Sequence, residues 1–197
     1  MKLIALIAVA LLLAGCASPK SFLDPSYPKV SYEELQRRPS PLKLSLGTQF
    51  QRNGVPLPQA DSTLKDTVER VLRASGVIVP VAADSEGQIR VVVNNVADTG
   101  AAVAKGVGTG LTFGLVGTTV TDAYEMSVTI TVGTKKFTRT AFRHALHTAI
   151  GNTSTPPGLE TVPVKVAFDR VVEQLMLRVL KEFQLSPDGG AAISRDL

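Results

Sequence analysis

The chain has 197 residues, with 21 Lys and Arg against 17 Asp and Glu, and a formal net charge of +4. This mild basic excess, without a run of basic residues and without Trp, argues against a nucleic-acid-binding protein. The single Cys excludes a disulfide within the chain. The length is sufficient for one domain with a sizeable hydrophobic core.

The chain begins with a short positive segment followed by an apolar run. Lys2 precedes residues 3–13, an unbroken run of Leu, Ile, Ala and Val, and small residues come next. This order is typical of a secretory signal peptide. Eleven apolar residues are fewer than the ~20 needed to cross a bilayer as a helix, so a membrane-spanning helix is the weaker interpretation. We therefore expect residues 1–15 to be a signal peptide.

The apolar run ends in Leu13-Ala14-Gly15-Cys16, which contains the only cysteine of the chain. This motif resembles the lipobox of bacterial lipoproteins. The resemblance implies that a lipid is attached to the Cys16 thiol, that cleavage occurs before Cys16, and that the new amine is acylated. The alternative is an incidental cysteine near an ordinary cleavage site. Ala17, rather than Asp, comes after Cys16, which by analogy with enteric bacteria favours export to the outer membrane.

Residues 16–41 are predicted to be a lipidated start followed by an extended tether. Five prolines in this stretch disfavour both helix and sheet. They are Pro19, Pro25, Pro28, Pro39 and Pro41. Ser31 and Glu34 have the spacing of a capping box, which predicts one short helical turn. Phe22, Tyr27 and Tyr32 give the tether apolar side chains with which to pack on a domain.

Strand and helix patterns continue up to residue 96. The leucines of residues 42–50 alternate with polar residues, which predicts a half-buried strand. Asp61-Ser62-Thr63 supplies the cap of a helix that ends at Gly76. Its apolar face consists of Leu64, Val68, Val71 and Leu72. Short apolar runs at 77–79 and 89–96 predict two further strands.

The clearest strand pattern covers residues 124–132, where apolar and polar side chains alternate without a break. Gly133-Thr134 is a tight turn, and residues 136–150 are the predicted hairpin partner. Within residues 136–150 the apolar side chains are at odd-numbered positions around Phe137 and at even-numbered positions from Phe142 onward. That change predicts a β-bulge near residues 140–142, or a strand shorter than the run.

A long helix is predicted to close the domain. Thr161 caps it and Pro163 lies in its first turn. Its apolar stripe, with spacings of three and four, consists of Val164, Phe168, Val171, Val172, Leu175, Val179 and Phe183. A Ser-Pro-Asp-Gly-Gly sequence ends the helix, and residues 186–197 are predicted to be a disordered tail.

These elements predict a single α+β domain over residues 42–185. We expect two layers, a mixed or antiparallel sheet of about four to five strands packed by two helices. The order of elements over residues 42–184 resembles that of the YajG-type small outer-membrane lipoproteins, in which a strand and helix precede further strands and a closing helix. The insertion at residues 98–120 departs from that pattern. The resemblance implies no catalytic motif.

Residues 98–120 are a glycine-rich insertion with few charges. Gly106, Gly110 and Gly114 recur every four residues, so on a helix they would form a stripe that another helix can approach closely. Three interpretations stay open: packing within the domain or local membrane contact, a mobile loop, and true insertion into a membrane. The many glycines weaken the helical interpretations, because each Gly costs ~1 kcal/mol relative to Ala.

The sequence contains no catalytic motif that we can identify. His144 and His147 are its only histidines, and a spacing of three on a strand puts them on opposite faces, which disfavours a shared metal. Neither a Gly-x-Ser-x-Gly motif nor a P-loop is present. We therefore expect no enzyme, no metal, and no cofactor beyond the covalent lipid on Cys16. A polar pocket joining His144 to an acid would indicate an enzyme instead.

Together these features predict a lipid-anchored envelope protein that faces the periplasm from the outer membrane. Its domain is expected to act as a non-enzymatic binding or assembly module. The expected partners are the membrane, through the lipid anchor, and an envelope protein; nucleic acid is not expected. The alternative function is a membrane-inserting or pore-forming oligomer that uses residues 100–120.

Overall fold

The computed structural model describes residues 20–96, 118–151 and 153–187. These residues form seven strands and two α-helices, which confirms the predicted α+β class. The strands are β1 (Lys20–Leu23), β2 (Leu42–Arg52), β3 (Val55–Pro56), β4 (Ile78–Pro80), β5 (Gly87–Val96), β6 (Thr118–Val132) and β7 (Lys135–Ile150). The helices are α1 (Asp61–Ser75) and α2 (Val164–Leu185). Short 3-10 turns cover Tyr32–Glu34 and Pro58–Ala60.

The described sheet has more strands than the four to five predicted. Its order is β1-β7-β6-β5-β2-β3, and β4 pairs with the outer side of β2. β2 runs parallel to β4 and β5, and every other pair is antiparallel. The two strands that the sequence pattern did not predict are β1 and β3. They have four and two residues, too few for an alternating pattern to be recognised.

Both helices pack their apolar faces into one core with the sheet. The four residues predicted as the inner face of α1 are fully buried. In α2 the ring of Phe168 packs on Tyr124 of β6, and Phe183 packs on Phe137 of β7. Val164 is an exception to the predicted stripe: it is exposed, because the buried side of α2 begins one turn later, at Ala167. Pro163 is the N-cap residue rather than part of the first turn.

The predicted bulge in β7 is confirmed. Met126 of β6 pairs with Phe142, but Val128, two residues on, pairs with Arg139. One extra residue of β7 is therefore accommodated, and Ala141 adopts a left-handed φ of 57°. As a result Phe137 and Phe142 both point into the core although they are five positions apart.

Residues 20–41 differ from the predicted tether, because they belong to the folded domain. β1 pairs with β7, and Val30 and Leu35 are buried in the core. The amide of Gln174 accepts from the Val30 N–H and donates to the Val30 carbonyl, while Gln184 makes the same pair of bonds with Gln36. Backbone N–H and C=O groups that are buried outside a strand or helix need other hydrogen-bond partners. The side-chain amides of Gln174 and Gln184 are those partners for Val30 and Gln36.

The glycine-rich insertion is shorter than predicted. β6 begins at Thr118, so residues 118–120 belong to a strand that pairs with the end of β7. The rest of residues 98–120 and the tail after residue 187 lie outside the described residues.

Replacing Gly87 with Ala should destabilise the fold. A Cβ at Gly87 would lie 2.0 Å from the backbone oxygen of Thr131, so the β5–β6 pair must move apart. We expect the free energy of unfolding to fall by roughly 1–3 kcal/mol, measured by urea denaturation. Gly47→Ala is the matched control, since a Cβ there has its nearest neighbour at 3.9 Å. Equal urea midpoints for the two variants would show that Gly87 is not required for close strand packing.

Candidate functional site

The residues predicted to carry the membrane function lie outside the described residues. They are Leu13, Ala14, Gly15 and Cys16 of the lipobox motif, and Gly106, Gly110 and Gly114 of the insertion. The lipid site and the glycine stripe stay predictions. Both motifs lie close to described strands along the chain: β1 begins four positions after Cys16, and β6 begins four positions after Gly114.

The described residues contain a cavity between β7, the segment after β1, and α2. Its volume is about 230 Å³. Phe22 and Leu23 of β1 and Leu159 give it an apolar side, and His144 and Tyr27 form its aromatic wall. The two rings of that wall are stacked, with centroids 4.8 Å apart and 20° between their planes. This arrangement holds the segment after β1 against β7.

His144 is a buried ring with one occupied nitrogen. Its exposed fraction is 4%, and the backbone N–H of Ala145 donates to its Nδ1 over 2.8 Å. When Nδ1 accepts this bond, the neutral ring carries its proton on Nε2. Burial lowers the pKa of His144 below its ordinary 6.5, against weaker opposing effects of Ala145 and Asp24. His144 is therefore neutral at physiological pH.

His147 faces the other side of β7, as its spacing from His144 predicts, and fixes the turn after β1. Its Nε2 lies 3.2 Å from the carboxylate of Asp24, and its Nδ1 lies 2.9 Å from the Thr121 hydroxyl. Asp24 also accepts hydrogen bonds from the hydroxyl and the backbone N–H of Ser26. The Ser26 hydroxyl is the main cause that lowers the pKa of Asp24.

The acidic groups of the cavity are paired with partners other than His144. Glu160 accepts two hydrogen bonds of 2.8 Å from the Arg170 guanidinium, which lower the pKa of Glu160. Glu173 lies 3.3 Å from Arg70 of α1, and Asp24 is held by Ser26 and His147. His144 thus shares a polar pocket with acids, but its described hydrogen bonds all involve Ala145. A proton-transfer pair needs direct or water-mediated contact with the acid.

Neither a metal-ligand group nor a membrane-spanning helix is present within the described ranges. No group of three or more His, Cys, Asp or Glu side chains converges there as a metal site would require. In the same ranges, no helix combines the length and the apolar character needed to span a bilayer. The expectations of no enzyme, no metal and no cofactor stay predictions.

The sequence pattern did not indicate most of this cavity. It identified Tyr27 only as a residue that could pack on the domain, and it gave no role to Glu160 or Arg170. Their joint position depends on β1 meeting β7, which is a contact between residues more than a hundred positions apart. The local indication of the cavity was Tyr27, an aromatic residue in the segment 16–41 that was predicted to be an extended tether.

No protein-family model matches the chain, and no curated protein matches its sequence. The site must therefore be interpreted from its own geometry.

The buried His144 predicts a loss of stability in mild acid. The unfolded chain binds a proton below pH 6.5, whereas the folded protein resists protonation until a lower pH. The free energy of unfolding is therefore highest above pH 6.5 and falls as the pH drops toward the folded pKa, by at most about 1.4 kcal/mol per pH unit. Urea midpoints from about pH 7.5 to about pH 5 measure this.

His144→Gln should reduce that pH dependence, and His147→Gln, the control, should retain it. The contribution of Asp24 is lost only at lower pH, because its pKa is below its ordinary 3.8. If the urea midpoints of both histidine variants depend on pH as strongly as those of the unmutated protein, His144 does not cause the loss of stability in acid.

Proposed function

We propose that this chain is a lipid-anchored lipoprotein of the bacterial envelope, whose α+β domain is a non-enzymatic binding or assembly module on the periplasmic side of the outer membrane. The observation that carries the proposal is the motif Leu13-Ala14-Gly15-Cys16 at the end of an apolar leader. Each buried lipid methylene contributes about 0.8 kcal/mol, so two or three chains on Cys16 would hold the protein firmly.

The short distance between Cys16 and the fold supports this proposal. Lys20 is the first residue of β1, and it lies four positions after Cys16 along the chain. Even when fully extended, this link is no longer than about 14 Å. A lipid on Cys16 would therefore keep the domain at the membrane surface, where an envelope assembly module would act.

The size of the cavity favours a protein partner over a small-molecule substrate. Its volume of about 230 Å³ is below the roughly 300–1,000 Å³ of typical small-molecule sites. It has room for one or two side chains of a partner. The Tyr27 and His144 rings bound this space on one side, and charged residues such as Glu160 and Arg170 bound it on the other. Pockets of this kind, with aromatic and Arg groups, commonly receive the anchoring side chains of an interface.

The alternative, a membrane-inserting or pore-forming oligomer built on residues 100–120, is less well supported. Residues 118–120 are part of β6. Residues 100–117 then remain, and eighteen residues are at the short end of the ~17–25 that span a bilayer as a helix. Their six glycines weaken a helix further, because each Gly costs ~1 kcal/mol relative to Ala. We therefore keep the anchored binding module as the proposed function.

Replacing the lipidated cysteine should release the protein from membranes. We expect Cys16→Ser to lose the acyl mass seen by intact-mass spectrometry and to become extractable from membranes with carbonate. If the unlipidated variant resists extraction, a second membrane-binding element exists and the inserting alternative gains support. If the mass of the unmutated protein shows an unmodified thiol, the proposed function is wrong.

The residue after the cysteine should determine the membrane of residence. Ala17→Asp keeps Cys16 and should keep its lipid, but it should shift the protein from outer-membrane to inner-membrane fractions on a density gradient. This variant is also a control for Cys16→Ser, because it alters the same region without removing the anchor. An unchanged distribution would argue against sorting by this position.

The cavity should lie against a partner in cells. A photo-crosslinking residue at Lys29, an exposed position on the cavity rim, is expected to yield a discrete adduct in intact cells. The same residue at Lys136, which is exposed near the far end of β7, is the matched control and should not. Equal adducts from both positions, or none from Lys29, would contradict a binding role for the cavity.

A further inference from the structure

At one end of the sheet, the start of β1, which follows Cys16 along the chain, lies beside the ends of two other strands. Lys20 at the start of β1 pairs with Ala149 of β7, and Ala149 pairs with Thr119 of β6. The start of β1, the start of β6 and the end of β7 therefore lie side by side. β5 also ends on this side, because it runs antiparallel to β6.

The first turn of α2 lies beside the same strands. Ser21 exchanges two backbone hydrogen bonds with Val162, of 2.9 and 2.8 Å, and α2 begins two residues later. Val162, Ser21, Thr148 and Val120 thus form one row across four adjacent chain segments. With neighbouring strands about 4.8 Å apart, this row is about 14 Å wide. We call this end of the domain, together with the first turn of α2, the anchor end.

The anchor end carries an unusual share of exposed apolar side chains. Six large apolar side chains are exposed among the described residues, and five of them lie toward this end of the domain. Val120 of β6 and Val164 and Val166 of α2 belong to the anchor end itself. Val96 is the last residue of β5, and Val55 lies in β3, at the opposite edge of the sheet from β1. The sixth, Leu185, is at the last turn of α2, on the opposite end. Clustered exposed apolar groups indicate an interaction surface, whereas scattered ones need no explanation.

We propose that the anchor end is the surface through which the domain contacts the phospholipid head-group layer. This inference rests on the proposed lipidation of Cys16. The link from Cys16 to Lys20 is at most about 14 Å, so the anchor end is within reach of the bilayer. The opposite end is about 33 Å away along the 22 residues of α2.

The chemistry of the first turn of α2 fits a head-group layer better than a protein surface. Val164 and Val166 flank Lys165, whose side chain is 75% exposed. Lys165 lies 3.2 Å from Asp169, but an exposed pair of this kind is weak and leaves the ammonium available to lipid phosphates. Apolar side chains that enter the interface beside a lysine are typical of membrane-surface contacts.

Single-cysteine labelling of the lipidated full-length protein tests this orientation. In the processed protein a thioether occupies the Cys16 sulfur, so an introduced cysteine is the one reactive thiol. The test positions are Val120→Cys and Val166→Cys, and the controls at the opposite end are Leu185→Cys and Thr134→Cys. Each variant is labelled with an environment-sensitive fluorophore. It is then reconstituted into phosphatidylethanolamine–phosphatidylglycerol vesicles that contain a lipid with a nitroxide on its head group.

We expect the nitroxide lipid to quench the labels at positions 120 and 166 severalfold more strongly than those at 185 and 134. Leu185 is the sharper control, because it too is an exposed apolar side chain. Equal quenching at all four positions, or stronger quenching at 185, would overturn the proposed orientation. Circular dichroism verifies that each variant folds, and either test position suffices if the other variant does not fold.

Intact-mass spectrometry of the same samples separates the two proposals. A lipidated, vesicle-bound protein without the expected quenching pattern disproves the orientation alone. An unmodified Cys16 disproves the proposed function, and the orientation with it.

Discussion

The bulge in β7 sets which side chains of this strand face the helices and where β1 can pair. In a regular strand, residues an odd number of positions apart face opposite sides, so Phe142, His144 and Leu146 would point away from the helices if Phe137 points toward them. The bulge at Ala141 turns them back to the helix side. Its left-handed backbone costs roughly 1–2 kcal/mol. Burial of Phe142 and Leu146 contributes more than that, since each such side chain stabilises the fold by about 1.5–3 kcal/mol.

The second half of β7 then organises the N-terminal segment. β1 pairs with it, the buried hydroxyls of Ser21 and Thr148 contact each other at 2.9 Å, and Tyr27 stacks on His144. Beyond this point the proline-rich chain forms no further strand until β2. Its packing depends instead on α2, whose Gln174 and Gln184 bind backbone groups of Val30 and Gln36. Because these side chains bond to backbone N–H groups away from the prolines, a proline-rich composition is compatible with a folded segment.

This arrangement brings the cavity and the anchor end into one part of the molecule. His144 and Ala149 are five residues apart on β7, which corresponds to about 17 Å along the strand. If Cys16 carries lipid and the anchor end meets the bilayer, a partner bound at the cavity would be held within a short distance of the membrane. The proposed function and the proposed orientation are thus compatible. The orientation rests on the proposed lipidation of Cys16, and separate measurements test the two.

Elements with a strong local pattern could be predicted from the amino-acid sequence. The alternation of residues 124–132, the stripe of α1, the stripe of α2 apart from Val164, the stop at Gly76 and the parity change near residue 141 appear in the structure. These features could be predicted because each arises from neighbours within a few residues. The lipobox motif is local in the same sense, and it stays the basis of the proposed function.

The start of the folded domain and the position of its cavity depend on contacts between distant parts of the chain. β1 has four residues, too few to show an alternating pattern of apolar and polar side chains. It forms a strand because it pairs with the otherwise unpaired edge of β7. The cavity joins Tyr27, His144 and Arg170, which are far apart in the sequence. Such contacts depend on the position of whole elements, so no pattern of nearby residues could have indicated them.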